Sequence, residues 1–323
     1  MDSQRKGVVT AKPLPILPYS QIVGQEQFKL ALELAFISPR LGGVLIAGQR
    51  GTAKSTAVRA FAQMIYGHLP VTLPINATED RVIGGWQIDE LMRGKAKPQP
   101  GLLEEANGSV LYIDEVNLLD DHIVNLILDV ASTGVLVVQR EGQNEQKPVS
   151  FSLVGTMNPE EGSLRPQLLD RFGLLVSVTA EKDTWRRSQI LRTVMDFDEA
   201  ISQLKTGKAA PFIEAGLKQD RNHKASLLEA RNRVSAVRVT EKIAGQCVKL
   251  AAEFNVEGHR GDYILALAAR ALAAFEDKKQ VAPQHLRQIA PLALHHRRRE
   301  FLQSNQWGWS EEDNERLTKT LSA

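Results

Sequence analysis

The segment Gly48-Gln49-Arg50-Gly51-Thr52-Ala53-Lys54-Ser55 does most to restrict the fold open to this chain. It follows an apolar run, Val44-Leu45-Ile46, and leads into a helix-like stretch, so it reads as strand, tight loop, helix. In such a loop the backbone N–H groups of Gly48, Gln49, Arg50, Gly51, Thr52, Ala53, Lys54, Ser55 and Thr56 are candidates to face bound phosphates. The Lys54 ammonium then reaches the β and γ oxygens, and the helix N-terminus adds partial positive charge behind them. Further along, Leu111-Tyr112-Ile113-Asp114-Glu115 is an apolar strand that delivers two carboxylates to its C-terminal end. Together the two motifs imply binding and hydrolysis of ATP, with Mg²⁺ held between Ser55 and Asp114.

One position departs from the usual loop pattern, which has glycine immediately before the lysine; here it is Ala53. Alanine fits if the backbone there is already helical, because only a positive φ demands glycine. A right-handed Ala53 is therefore the expectation. Glu115, the second carboxylate, is the natural base or water-orienting group. Asn158, in Thr156-Met157-Asn158-Pro159 just past another core strand, is the candidate to fix that water and sense the γ-phosphate. The competing reading makes Asn158 a turn residue ahead of proline.

Short β runs alternate with helical patterns from about residue 21 to 182: Val44–Ala47, Val71–Ile75, Val110–Ile113, Phe151–Thr156 and Leu174–Val178 are the expected strands. That alternation implies an α/β core, a mostly parallel sheet with helices on both faces. Inserts at 79–105 and 134–150 interrupt it, the second a hairpin with a polar turn around Glu141-Gly142-Gln143-Asn144. Residues 1–20 hold four prolines and read as an extended arm. Beyond about 182 the β signal vanishes. Helices are expected at Asp183–Thr193, Glu199–Thr206, Leu227–Asn232, Thr240–Phe254, Asp262–Phe275 and Pro283–Arg299, giving a helical linker (183–235) and an all-helical lid (236–323).

Lys+Arg 40 against Asp+Glu 38 leaves no polybasic character for nucleic acid or anionic membrane. The lone Cys247, on an apolar helical stripe, rules out an internal disulfide and reads as core. No run approaches the ~20 apolar residues of a spanning helix, and Met1–Lys12 lacks a signal-peptide centre. A cytoplasmic protein is expected. His295-His296-Arg297-Arg298-Arg299 reads as a solvated helix end with cations near its C-terminus. Trp307-Gly308-Trp309 is either a docking element or, preferably, packing against the lid.

These motifs resemble the I subunit of the magnesium and cobalt chelatases, AAA+ ATPases of the helix-2-insert clade. The likeness is carried by Ile22-Val23-Gly24-Gln25, Gly48–Ser55, Ala77–Arg81, Pro100–Leu103, Leu111–His122 and Gly155–Gly173. Echoes continue at Val237–Val239, Gly258–Asp262 and His295–Arg299. The resemblance implies Walker A at Lys54 and Ser55, Walker B at Asp114 and Glu115, and sensor 1 at Asn158. It implies an arginine finger at Arg171 acting on ATP of the adjacent subunit, with Arg165 as the other candidate. It further implies a sensor 2 at Arg260 contacting phosphate from the lid, and an adenine pocket lined by Val23 and Gly24. Implied partners are copies of itself in a ring, hexameric in the family, an AAA+/von Willebrand A D-type subunit, and a large tetrapyrrole-binding subunit.

The short connection His68–Leu73 and Ala53 depart from chlorophyll-pathway members and resemble short cobalt-chelatase-associated ATPases. Mg²⁺ and Co²⁺ therefore both stay open as the metal inserted. A MoxR-like maturation chaperone working with a von Willebrand A partner shares the same ATPase chemistry. A DNA-remodelling ATPase is disfavoured by the near-neutral charge.

Overall fold

The computed structural model describes residues 15–95, 97–140, 143–299, 301 and 307–322. Most of the expected arm (residues 1–14) and Glu141-Gly142 of the expected hairpin turn lie outside the described residues.

Helix α1 (Glu26–Ile37) precedes strand β1 (Val44–Gly48), and the phosphate loop runs from β1 into α2 (Lys54–Tyr66). After β2 (Val71–Leu73) comes an insert of α3 (Glu79–Ile83), β3 (Gly84–Trp86), α4 (Ile88–Leu91), β4 (Pro98–Pro100) and α5 (Leu102–Glu105). The core resumes with β5 (Val110–Ile113) and α6 (Asp121–Thr133). An antiparallel hairpin, β6 (Val135–Arg140) with β7 (Gln143–Pro148), leads to β8 (Ser152–Met157), α7 (Pro166–Arg171) and β9 (Leu174–Val178). The described helices that follow are α8 (Thr184–Lys205), α9 (Pro211–Arg233), α10 (Glu241–Glu253), α11 (Arg260–Phe275), α12 (Pro283–Leu294) and α13 (Glu311–Ser322).

The main sheet has five strands in the order β2-β5-β8-β1-β9, every neighbouring pair parallel. β1, β5, β8 and β9 alternate their side chains between two apolar cores. Val44 and Ile46 of β1, Val110 and Tyr112 of β5, and Leu174 and Val176 of β9 face one core. Leu45, Leu111, Ile113, Leu153 and Leu175 face the other. Burial on both faces explains why these strands read as unbroken apolar runs. The first core also takes in α1, α2 and the lid residues Leu250, Leu265, Leu286 and Leu317, so the lid packs as a continuation of one sheet face. The α/β fold followed by a helical lid is as the sequence suggests.

Three helical readings change. The two helices expected between 183 and 206 are one, α8, because Val194–Asp198 contains no breaker. The helix expected at Leu227–Asn232 is the last part of α9, which starts at Pro211, an N1 proline. The helix expected to reach Arg299 gives way at Leu294 to a 3₁₀ turn, His295–Arg297.

That turn also corrects the reading of His295–Arg299 as a solvated end. His295, His296, Arg297 and Arg298 are all buried. The Arg298 guanidinium donates to Asp313 at 2.6 Å and lies over the Trp309 ring. Arg297 and His296 reach under the sheet edge to Phe172, where backbone carbonyls need donors. Polar residues enter the interior because the loop they dock against has carbonyls to satisfy. Arg299 alone of the run is exposed, paired with Glu257.

Trp309 packs at a tilt against Phe254 of the lid, ring centroids 4.9 Å apart, and Trp307 meets Phe301 edge-on at 4.9 Å. Cys247 is buried, its thiol pushed up to about 12 by burial. No helix among the described residues is long and apolar enough to cross a membrane.

Candidate functional site

The strand order determines what meets at the sheet edge. β5, β8 and β1 are consecutive neighbours, and their C-terminal ends deliver Asp114-Glu115, Asn158 and the Gly48–Ser55 loop to one place. This is where ligand sites form in open parallel sheets. A cleft of about 320 Å³ there is lined by residues 50–56 together with Asp114, Glu115, Thr156 and Asn158. Gly48 closes against β9, where a Cβ would sit 2.2 Å from the Val178 carbonyl oxygen, so no larger residue fits.

Ala53 is not helical. Its φ of 60° and ψ of 21° are left-handed, the conformation that favours glycine. The expectation of a right-handed alanine is therefore overturned: the loop demands the turn, and alanine adopts it under strain. The Lys54 ammonium folds back onto its own loop, donating to the Gly48 and Gln49 carbonyls at 2.6 and 2.7 Å. Partial burial pulls it below the ordinary lysine range, against the raising pull of Asp114 and Glu115.

Ser55 and Asp114 are joined through a residue that the motifs did not single out. The Tyr112 hydroxyl lies 2.9 Å from Ser55 Oγ and donates to Asp114 Oδ1 at 2.8 Å. Thr156 Oγ1 donates to the same carboxylate oxygen at 2.7 Å and accepts the Glu115 N–H at 3.1 Å. Burial pushes the Tyr112 phenol up to about 12, so it stays a neutral donor. Glu115 is itself left-handed, φ 57°. The Arg50 guanidinium sits 3.6 Å from Glu115 and 2.6 Å from Glu161, and Gln49 Nε2 donates to Glu160 Oε1 at 3.0 Å. The phosphate loop is thus tied to the segment after β8.

Asn158 lines the cleft, and its side chain accepts the Glu160 N–H at 3.3 Å as a cap. The oxygens of Ser55 and Asp114 suit Mg²⁺, which binds through few protein oxygens and keeps water and phosphate as its other ligands. No cluster of three or more His, Cys, Asp or Glu with metal-ligand spacing occurs among the described residues.

Beside the cleft lies an apolar cavity of about 800 Å³ that shares Gly51, Thr52, Ala53 and Thr56 with it. Val23 and Ile22 form one wall, and Ile190, Leu191 and Val194 of α8 the other. The α8 wall was not foreseen. Its signal is the i, i+3, i+4 spacing of apolar residues on an otherwise polar helix. Gly24 lines a smaller adjoining hollow with Arg186 and Gln189.

Arg171 and Arg260 are not among the residues lining the cleft of their own chain. The Arg171 side chain pairs with Asp129 at 2.6 Å, and Arg260 Nη2 donates to the Arg171 carbonyl at 3.1 Å. Arg260, which the resemblance implies contacts phosphate from the lid, stands beside Arg171. Arg165 pairs with Asp121 at 2.5 Å.

Residues 43–172 match the AAA domain of the dynein-related subfamily, and residues 244–319 match the AAA lid domain. The magnesium-chelatase 38 kDa subunit of Rhodobacter capsulatus is 40% identical, the match covering 90% of this chain and 90% of that protein. The magnesium-chelatase subunit ChlI homolog of Methanocaldococcus jannaschii is 38% identical over 88% of this chain and 86% of its own length. The crystal structure of a candidate ATPase from Cytophaga hutchinsonii shares the fold, with a TM-score of 0.64 at 19% identity, covering 93% of this chain and 91% of that one.

Proposed function

Because the chain belongs to the family of magnesium-chelatase 38 kDa and ChlI subunits, we propose that it is the ATP-hydrolysing motor of a chelatase that inserts Mg²⁺ or Co²⁺ into a tetrapyrrole. The chain is an AAA+ ATPase. In this reading it drives a separate catalytic subunit, the large tetrapyrrole-binding one, through an AAA+/von Willebrand A partner, and works as a hexameric ring.

One observation supports the chemistry above others: adjacent strand ends bring Lys54, Ser55, Asp114, Glu115 and Asn158 to a single cleft. On ATP binding Lys54 exchanges its two loop carbonyls for β and γ oxygens, a short swing because Gly48 and Gln49 frame the same turn. Ser55 and Asp114 would hold Mg²⁺, which neutralises charge on the phosphates when bound. Tyr112 and Thr156 keep Asp114 aimed, and Glu115 orients the attacking water with help from Asn158. The adenine enters the apolar cavity between Val23 and α8. Arg171, and Arg260 beside it, meet the γ-phosphate held by a neighbouring subunit, since neither lines the cleft of its own chain.

The test combines the purified chain with chelatase partner subunits, ATP, a tetrapyrrole and Mg²⁺ or Co²⁺. ATP-dependent insertion of one metal is expected. Glu115→Gln is expected to hold ATP within about twofold of the parent affinity, while hydrolysis and insertion fall by at least about 10²-fold. No insertion of either metal with partners bound, or undiminished hydrolysis by Glu115→Gln, would sink the reading.

A further inference from the structure

The last carbonyls of a helix have no partner within it. At the end of α7 the carbonyls of Asp170, Arg171, Phe172 and Gly173 find donors in the lid. Arg297 Nη2 donates to the Asp170 carbonyl at 2.8 Å and the Phe172 carbonyl at 2.6 Å. Arg297 Nη1 donates to the Gly173 carbonyl at 3.1 Å and to the Ala293 carbonyl of α12. Its Nε reaches the Asp170 carboxylate at 3.0 Å. The Arg171 carbonyl accepts from Arg260, and that of Phe172 also from His296 Nε2 at 3.1 Å. An arginine carries five N–H groups, and each of those on Arg297 has an acceptor.

This saturation is what makes burial tolerable. The Arg297 side chain is 1% exposed, and a buried cation is costly unless paired and fully hydrogen-bonded. The tip is held from behind as well. A Cβ on Gly173 would fall 1.9 Å from the Leu41 carbonyl oxygen, so the 170–173 backbone lies clamped between the Leu41–Gly43 turn and the lid. The Arg171 side chain leaves the clamp outward, 31% exposed, touching Asp129 and the Asn125 carbonyl.

We propose that Arg297 is a positioning residue: it makes the presentation of Arg171 to a neighbouring subunit's nucleotide depend on the docking of the lid. The inference rests on the reading of Arg171 as acting between subunits. Arg297 touches no nucleotide itself. Its guanidinium joins the lid turn to Asp170, Phe172 and Gly173, the residues on either side of Arg171, so a displacement of the lid displaces the finger. A misplacement of about 1 Å at such a group costs on the order of 10²-fold in rate.

Arg297→Lys tests this, since lysine keeps the charge opposite Asp170 but cannot span the carbonyls. The expected result is kcat for ATP lowered by at least about tenfold, with KM and nucleotide affinity within about twofold of the parent. Mixing the variant with Lys54→Ala subunits, whose fingers are intact, is expected to restore hydrolysis at the variant's own cleft. A merely structural defect would lower nucleotide affinity and would not be rescued. If the lysine variant fails to fold by circular dichroism, Arg297→Gln takes its place and is read in the same way. Parent-like kcat, or loss without rescue, overturns the proposal. The control pair Arg171→Ala with Lys54→Ala separates the two failures. If that pair complements and the Arg297 variant does not, only the present inference falls; if that pair fails, the trans reading falls with it.

Discussion

Ala53, Glu115 and Gln25 share a backbone conformation that L residues avoid, with φ of 60°, 57° and 60°. The other non-glycine positive-φ residues among those described, Asn255 and Asp277, are of types that tolerate it better. All three costly positions border the cleft or its apolar annex. Strain of this kind, about 1–3 kcal/mol per residue, concentrates where geometry matters more than stability. Ala53→Gly should relieve it and raise stability by about 1 kcal/mol, read as a higher urea midpoint at unchanged slope. A lower midpoint would show that the loop does not demand the left-handed turn.

At this scale the motif residues were legible because their chemistry needs particular types at particular spacings. The conformation of Ala53 was not, because nothing in a residue's identity displays its φ. Tyr112 was hidden differently: a tyrosine inside an apolar strand reads as core, and only the fold shows its hydroxyl between Ser55 and Asp114.

Helices α8 and α9 show why elements can be harder to read than motifs. The buried stripe of α9 keeps helical spacing through Ile213, Gly216, Asp220, Leu227 and Ala230, with His223 half-buried among them. Half of that stripe is not apolar, so hydrophobic periodicity fades. Each exception serves α1 or the chain segment before it. Gly216 leaves room for Pro18, where a Cβ would come within 2.7 Å. Asp220 accepts the N–H groups of Tyr19 and Ser20 at 3.0 and 2.8 Å. His223 Nε2 meets the buried Glu33 at 2.8 Å, and Tyr19 donates to the same carboxylate.

The Glu33 contact raises the His223 pKa above its ordinary 6.5, helped by Asp220 and opposed by burial and Lys29. A raised folded-state pKa stabilises fully below the unfolded value and loses that contribution as pH rises through the folded one. His223→Gln should therefore lower Tm most below about pH 6.5, with the gap to the parent narrowing toward alkaline pH. A gap independent of pH would mean that the imidazolium contributes nothing to the α1–α9 contact.

Over the whole molecule, one sheet face and the lid share a core, and the opposite face packs against α6, α7 and the insert. The α/β-then-helical division was visible as the loss of β signal after about residue 182. What the residues could not display is the direction in which the lid faces. The run His295–Arg299 looks like a solvated end by composition, yet its middle supplies the donors that the 170–173 carbonyls lack. Such complementarity exists only once two distant segments meet. It places Arg171 and Arg260 together on one surface and the phosphate loop in a cleft that neither lines. In the function proposed above, one chain carries two halves of different sites, which a ring of copies would complete.

The most direct measurement is steady-state ATP hydrolysis by equimolar mixtures of Lys54→Ala and Arg171→Ala subunits. Each variant alone should be nearly inactive, with Arg171→Ala reduced by about 10³-fold or more. Their mixture should regain a substantial part of parental activity, because an intact cleft can meet an intact finger across an interface. Parental hydrolysis by Arg171→Ala alone, or a mixture no more active than its components, would contradict the shared site.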